Sequence, residues 1–204
     1  VKVVLSGEGA DELFGGYNIY REPESLKKIA WIPFGVRRVI GKLAAKLPDV
    51  KGRDFLIRAG MKVEERFIGN AYIYREKEKA QILKNKVTGP STQEYLRPFF
   101  KELESENRGS LRDMEKMQSV DLNYWLPGDI LQKADKMSMA HSLEVRVPFL
   151  DKEIFNFAAK LPKEAKIAAG TTKYIFRKAV SEFLPQETDE RRKLGFPIPI
   201  RVWL

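Results

Sequence analysis

The sequence of 204 residues has no cysteine, a single histidine and no long apolar run. Without cysteine the chain has no disulfide, no thiolate metal site and no cysteine nucleophile. No apolar stretch reaches the roughly 18 residues that a membrane-spanning helix needs. The opening residues lack the positive region and long apolar core of a signal peptide. We therefore expect a cytoplasmic protein without a membrane segment.

Positive charge is in excess, with 37 Lys and Arg against 28 Asp and Glu, a net charge of +9. A basic protein can bind nucleic acid or a phosphate-bearing ligand. The charges are spread along the chain, however, with dense clusters only at Arg191–Lys193 and Arg75–Lys79. No RNP motif, zinc-finger spacing or basic zipper occurs. We interpret the charge as a solvated surface and expect no nucleic-acid partner, while a non-catalytic helical binding module stays open as an alternative.

The pattern predicts one mainly helical unit with a strand at its start. Val1–Leu5 is β-branched and apolar, which is typical of a strand. No partner strand is evident, so we expect its sheet to lie upstream of Val1. Helices are predicted near 24–31, 34–46, 53–60 and 64–71.

Ser91-x-x-Glu94 and Ser110-x-x-Asp113 resemble capping boxes. The second predicts a helix that ends before Pro127, with a further helix from there to about His141. The inward face of the first of these helices is predicted to contain Met114, Met117, Asp121 and Tyr124.

The segment 145–150 is expected to be extended, because Pro148 disfavours helix at Val147. Asp151 is a candidate N-cap for the next helix, and Pro185 is expected to end the last one. The side chains predicted to face inward from these two helices are Ile154, Phe157, Ala158, Leu161, Ile175, Phe176, Ala179, Val180 and Phe183.

The stretch SGEGADE at 6–12 lies between the predicted strand and a helix. Gly7 and Gly9 allow a tight turn whose backbone N–H groups can hold a phosphate, strengthened by the helix N-terminus. Three carboxylates, Glu8, Asp11 and Glu12, would repel that phosphate unless a cation such as magnesium lay between them. The alternative is a capped turn in which Glu12 complements the helix dipole.

Four stretches stand out in order along the chain: LSGEGADELFGGY at 5–17, ADKMSMAHSLEVRVPFLD at 134–151, KYIFR at 173–177 and KLGFPIPIRVWL at 193–204. Together they resemble the motifs of the asparagine synthetase family. The middle of the chain, about 20–110, carries no such resemblance.

The resemblance implies a synthetase domain that uses ATP and magnesium to adenylate the side-chain carboxylate of aspartate. Ammonia, released from glutamine by a separate N-terminal domain, then attacks the acyl adenylate to give asparagine and AMP. The implied partners are therefore small molecules: aspartate, ammonia and glutamine. We keep a homodimer open as the assembly.

The resemblance also assigns roles. Ser6 and Gly7 match positions that contact ATP, and Glu8 matches the general base that takes a proton from ammonia. Asp11 matches a carboxylate that holds magnesium and pyrophosphate. Lys173 matches the cation placed against the charge that develops at the α-phosphate, although the residues alone favour a solvated lysine in the first turn of a helix.

Asp129 and Lys133 lie just before the longest motif and Asp135 lies at its start, and all three are further candidates for nucleotide binding. Asp129 and Lys133 have the i, i+4 spacing of a helix ion pair, which is the alternative interpretation.

Several polar and aromatic residues are interpreted as structural. Asp121 on an apolar stripe indicates a buried, hydrogen-bonded carboxylate, and His141 among Met137, Met139 and Ala140 indicates a packed imidazole. Arg146, Asp151, Phe196 and Trp203 are placed in the same structural group.

The family's ATP-gripping motif, S-G-G-x-D-S, does not occur in the chain. We therefore interpret 1–204 as the C-terminal portion of an α/β PP-loop ATPase-like synthetase domain, without the PP-loop half or the glutaminase domain, and expect it to be inactive alone. Related β-lactam synthetases and lasso-peptide cyclases, in which an internal amine replaces ammonia, remain an alternative for the parent protein.

Overall fold

A computed structural model describes residues 1–70, 74, 76–84 and 89–185. Helices dominate this part of the chain. The α-helices are α1 (Ala10–Phe14), α2 (Glu22–Lys27), α3 (Phe34–Ala44), α4 (Arg53–Ala59), α5 (Val63–Arg66), α6 (Glu76–Ile82), α7 (Thr92–Glu106), α8 (Asp113–Val120), α9 (Gln132–Met139), α10 (Lys152–Lys160), α11 (Lys163–Lys166) and α12 (Tyr174–Val180). The strands are β1 (Val3–Leu5), β2 (Glu144–Arg146), β3 (Ile167–Ala168) and β4 (Thr171–Thr172). Short 3₁₀ segments span Asn18–Arg21 and Pro148–Leu150.

The first strand has a partner within the chain, contrary to the sequence-based expectation. β1 pairs in parallel with β2, with Val4 opposite Val145. The strand at β2 follows from the β-branched residues and Pro148, but the pairing joins distant parts of the chain and has no local signal. Because the two strands are parallel, the segments that follow them leave the sheet at the same edge. A second, antiparallel pair joins β3 to β4.

Pro127 does not end a helix, so the predicted boundary there is wrong. A π-helix, Asp121–Leu131, links α8 to α9 without interruption. Proline lacks an N–H, and its ring clashes with the carbonyl one α-turn back. The wider π-turn gives the ring room, while the missing donor is not replaced.

The main core lies where α8 packs against the segment after α1. Its largest fully buried side chains include Tyr20, Met114, Met117 and Val120, so the predicted inward face of α8 is confirmed for both methionines. A smaller cluster joins Leu13 and Phe14 of α1 to Ala158 of α10. The stretch from residue 6 to residue 20 therefore has its apolar side chains fixed on two sides.

Predicted helices and caps agree with the structure in part. α2, α3, α4 and α5 correspond to the four early segments, although the fourth is only one turn long. Ser91 caps α7, accepting a hydrogen bond from the Glu94 N–H. The second predicted box is wrong, because α8 begins after Arg112, whose backbone N–H donates to Glu115. Ser110 instead donates its hydroxyl to the Asn107 carbonyl.

Two predicted core phenylalanines lie at the surface. Phe157 is 56% exposed and Phe183 is 82% exposed. Ala158 marks the buried face of α10, and Phe157 is rotated away from it by about 100°, one residue step of an α-helix. Phe183 lies beyond the last residue of α12, so the helical periodicity no longer applies to it. Among the described residues no helix combines the length and apolarity needed to cross a bilayer.

Candidate active site at the turn after β1

The turn that follows β1 is held against the segment that follows β2. The Ser6 N–H donates to the Arg146 carbonyl at 2.8 Å, which extends the parallel pairing by one residue. Gly9 then adopts φ 88°, and a Cβ at this position would lie 2.3 Å from Leu150 Cδ2. Gly9 is thus required by backbone conformation and by close packing together. At Gly7, a Cβ would meet no described atom within 4 Å, so the protein's own packing does not explain that glycine.

The helix α1 places two adjacent carboxylates in different environments. Glu12 is buried and accepts the Tyr17 hydroxyl at 2.8 Å, so it has a hydrogen-bond donor as partner and is not only a complement to the helix dipole. Asp11 is part-exposed, with a side-chain exposure of 26%. α1 has five residues, so its dipole adds less to an anion site than the sequence suggests.

Lys173, far from this turn in sequence, lies against it in space. Its Nζ is 3.0 Å from Asp11 Oδ1, with 21% of the lysine side chain exposed. The interpretation of Lys173 as a solvated lysine is therefore wrong. Two features bring it there: α12 packs on α1, with the Phe14 and Phe176 ring centroids 5.5 Å apart, and Lys173 itself adopts a left-handed backbone, φ 53° and ψ 37°.

Glu8 adds a second carboxylate to the same turn. Its Oε2 atom is buried and has no hydrogen-bond partner within the described ranges. A buried carboxylate oxygen without a donor is costly unless a cation or ligand group pairs with it. No described group of three or more His, Cys, Asp and Glu is suited to a metal, but magnesium is commonly held by one or two carboxylates together with phosphate oxygens. Asp11 fits that pattern as one carboxylate ligand, and the Glu8 oxygen in the same segment remains available to a ligand group.

Asp129 and Lys133 form the ion pair that their spacing predicts, with Oδ2 and Nζ 3.2 Å apart. Lys133 and Asp135 are exposed, and Asp129 is partly exposed, with 42% of its side chain accessible. Such a surface pair contributes little to stability. A role for these three residues near the nucleotide stays a prediction.

Asp121 is fully buried, which confirms its structural interpretation. It accepts hydrogen bonds from the Tyr20 hydroxyl at 2.6 Å and from the backbone N–H of Asn70 at 3.0 Å. Burial raises the pKa of Asp121 to about 6, while these hydrogen bonds act in the opposite direction. Burial likewise raises the pKa of Tyr20, and the Asp121 charge adds to that shift.

The sequence analysis missed the polar contacts beneath α1. Gln118 donates from Nε2 to the Glu12 carbonyl at 2.5 Å and accepts from Lys166 Nζ at 3.2 Å. Burial lowers the pKa of Lys166. A glutamine directly after the buried Met117 was the available signal, since polar groups inside a core are normally paired.

The remaining structural predictions have mixed outcomes. Asp151 caps α10, accepting from the Glu153 N–H at 2.8 Å. Arg146 lies in β2 as expected, with its exposed side chain bonded to Glu144. His141 is exposed in the turn after α9, so the prediction of a packed imidazole is wrong. The motif at 193–204, with Phe196 and Trp203, and the basic cluster Arg191–Lys193 lie outside the described residues.

Comparison with known proteins gives one consistent result. The model of the asparagine synthase family matches residues 1–204. Asparagine synthetase (glutamine-hydrolyzing) 1 of Bacillus subtilis is 50% identical over the whole chain, which covers 32% of that relative. Asparagine synthetase (glutamine-hydrolyzing) 3 of the same organism is 28% identical over 96% of the chain, and the matched part is 26% of that relative. The chain thus spans about a third or less of the length of these relatives. No solved structure matches it significantly.

Proposed function

The chain belongs to the asparagine synthase family, and we propose that its parent protein makes asparagine from aspartate, ATP and ammonia released from glutamine. The observation that carries the proposal is the meeting of Lys173 with Asp11 in the turn that also holds Glu8. This turn is where the family resemblance places ATP and magnesium. The relatives' names support the same reaction.

In the proposed first step, an oxygen of the aspartate side-chain carboxylate attacks the α-phosphorus of ATP and pyrophosphate leaves. Negative charge grows on the phosphate oxygens in that transition state, and the Lys173 ammonium is positioned to stabilise it. Ser6 and Gly7 line the approach of the nucleotide, and the room above Gly7 supports close backbone contact. Magnesium, held by Asp11, would offset the charge of the departing pyrophosphate.

In the second step, ammonia attacks the carbonyl carbon of the aspartyl adenylate and AMP leaves. The attacking nitrogen must lose a proton as the amide forms. Glu8 is the proposed acceptor, because one of its oxygens has no donor among the described residues and general bases need a free acceptor atom in reach of the substrate.

Isotope transfer in the full-length parent protein tests the adenylate. Aspartate labelled with ¹⁸O in its side-chain carboxylate is incubated with ATP, magnesium and ammonia, and the AMP is analysed by mass spectrometry. One labelled oxygen per AMP is expected, because the carbonyl carbon–oxygen bond breaks when ammonia displaces AMP. Unlabelled AMP would contradict the mechanism.

Two lysine variants test whether adenylation takes place at the turn after β1. Lys173→Met should lower the rate of ammonia-dependent synthesis by about a hundredfold or more, as for loss of one transition-state donor. Lys178→Met is the matched control, since Lys178 lies exposed on the same helix, and it should keep the parent rate. Equal loss in both variants would remove Lys173 from the site.

A panel of other carboxylates, with pyrophosphate release as readout, tests which carboxylate is adenylated. Aspartate should be preferred over all others. Preference for a carboxylate that carries its own internal amine would instead favour a cyclase related to β-lactam synthetases.

A further inference from the structure

Gly16 lies directly against the carboxylate of Asp11. A Cβ built on Gly16 would lie 1.7 Å from Asp11 Oδ1, 2.6 Å from its Cγ and 2.9 Å from its Cα. The last of these atoms belongs to the backbone, so rotation of the Asp11 side chain alone would not relieve the clash. The Gly16 N–H also donates to the Asp11 carbonyl at 2.7 Å. Gly16 therefore contacts both the carboxylate and the backbone of Asp11, and it does so only because it has no side chain.

The chain around Gly16 is closed by a second contact. Gly15 ends α1 at φ 73° and turns the chain back, and a Cβ there would meet Met114 Cε at 2.8 Å. Tyr17 then reaches the buried carboxylate of Glu12 with its hydroxyl. This hydrogen bond closes a loop of six residues, 12–17, that begins directly after Asp11 and brings Gly16 against the Asp11 carboxylate.

We propose that Gly16 and the Glu12–Tyr17 hydrogen bond act as positioning residues, which hold the Asp11 carboxylate where it can bind a divalent cation beside Lys173. The inference rests on the proposed function, in which Asp11 is the metal-binding residue. Gly16 leaves Oδ1 in contact with the lysine, and Tyr17 keeps α1 from turning Asp11 away. Residues that contact a metal ligand commonly tune the metal affinity of the site, and removing them typically lowers that affinity by about 10- to 100-fold.

The test measures Mn²⁺ binding to the full-length protein in the presence of aspartate and a non-hydrolysable ATP analogue. The signal of free Mn²⁺ in electron paramagnetic resonance gives the bound fraction. Gly16→Ala should weaken Mn²⁺ binding by about tenfold or more. Tyr17→Phe, which removes only a hydroxyl, should weaken Mn²⁺ binding by about fivefold, as for the loss of one hydrogen bond that acts on Asp11 through its neighbour Glu12.

Tyr20→Phe is the matched control. Tyr20 packs on Tyr17 with ring centroids 5.6 Å apart, but its hydroxyl bonds Asp121 instead. This variant also loses a buried hydroxyl, and its Mn²⁺ affinity should stay within about twofold of the parent. Thermal unfolding of all variants separates loss of stability from loss of metal binding.

Asp11→Asn separates failure of the inference from failure of the proposed function. If Asp11→Asn weakens Mn²⁺ binding while Gly16→Ala and Tyr17→Phe bind as the parent does, the positioning role is wrong and the metal role stands. If Asp11→Asn has no effect, Asp11 is not a metal ligand and both ideas fall. If Gly16→Ala does not fold, Tyr17→Phe against Tyr20→Phe decides, and equal losses in those two overturn the inference.

Discussion

At the scale of single residues, Lys173 shows how backbone conformation and function are linked. A lysine at φ 53° occupies the left-handed region, which costs a non-glycine residue about 1 kcal/mol or more. Glycine would adopt this conformation at lower cost. The surrounding structure therefore holds this conformation, and the ion pair with Asp11 at 3.0 Å is the described contact that identifies where the side chain acts.

Asp121 makes folding stability depend on pH in an unusual direction. When a carboxyl has a higher pKa in the folded protein than in the unfolded chain, the free energy of unfolding falls as pH rises from the lower value to the higher one. For Asp121 that range runs from its ordinary pKa of 3.8 to about 6. The change corresponds to about 3 kcal/mol over that range. Asp121→Asn removes the titration. Between pH 4 and pH 7 the unfolding temperature of the full-length parent should therefore fall relative to that of the variant.

Scanning fluorimetry at a series of pH values checks this. Tyr20→Phe serves as a second variant. It removes a hydrogen bond that lowers the pKa of Asp121, so the pH-dependent loss of stability should extend to higher pH. A parent and Asp121→Asn that change in parallel across the range would show that Asp121 does not titrate there.

The sequence predicts the type of these residues better than their partners. An acid on an apolar stripe indicates a buried carboxylate at Asp121, but its donors, Tyr20 and Asn70, lie far away in the chain. The same holds for Asp11 and Lys173. Local pattern carries information about one helix or turn, whereas a pair of side chains brought together by packing is a property of the whole fold.

At the scale of elements, the two predicted capping boxes give an internal comparison. Ser91 accepts from the Glu94 N–H at the start of α7, while Ser110 precedes α8 without capping it. Ser91→Ala should lower the unfolding free energy by about 1 kcal/mol. Ser110→Ala removes an exposed hydrogen bond and should cost no more than about 0.5 kcal/mol. Denaturant unfolding of both variants provides the measurement, and equal effects would contradict the assignment of the cap.

The elements that the sequence failed to predict share a physical cause. The pairing of β1 with β2 depends on residues brought together across most of the chain. The passage through Pro127 depends on a π-turn, which is stabilised by surrounding contacts and has no local propensity of its own. The cap at Ser91 was predictable because all its atoms come from four consecutive residues.

At the scale of the whole molecule, the candidate site lies between two packed clusters. One contains Tyr20 and the methionines of α8, and the other contains Phe14 and Ala158. α1 contributes Phe14 to the second cluster, and Tyr17, three residues later, packs against the first, so the carboxylates of α1 are oriented from both sides. Substitutions in either cluster are expected to affect the site through α1.

The outer side of the small sheet is apolar and exposed: Val3 is 41% exposed and Leu5 is 73% exposed. A two-stranded sheet is marginal in water, and further strands or helices normally cover its faces. We propose that the PP-loop half of the synthetase domain supplies them in the parent protein, together with the S-G-G-x-D-S motif that 1–204 does not contain.

From this follows a prediction for the chain alone. Incubated with ATP, magnesium, aspartate and ammonia, the 204-residue chain should form no asparagine above a protein-free blank, because Lys173, Asp11 and Glu8 would have no opposing loop to hold the triphosphate. The full-length parent, assayed by chromatography under the same conditions, is the positive control. Asparagine formed by the isolated chain would show that the turn after β1 binds and activates ATP without the PP-loop, and would require the division of the site between two halves to be abandoned.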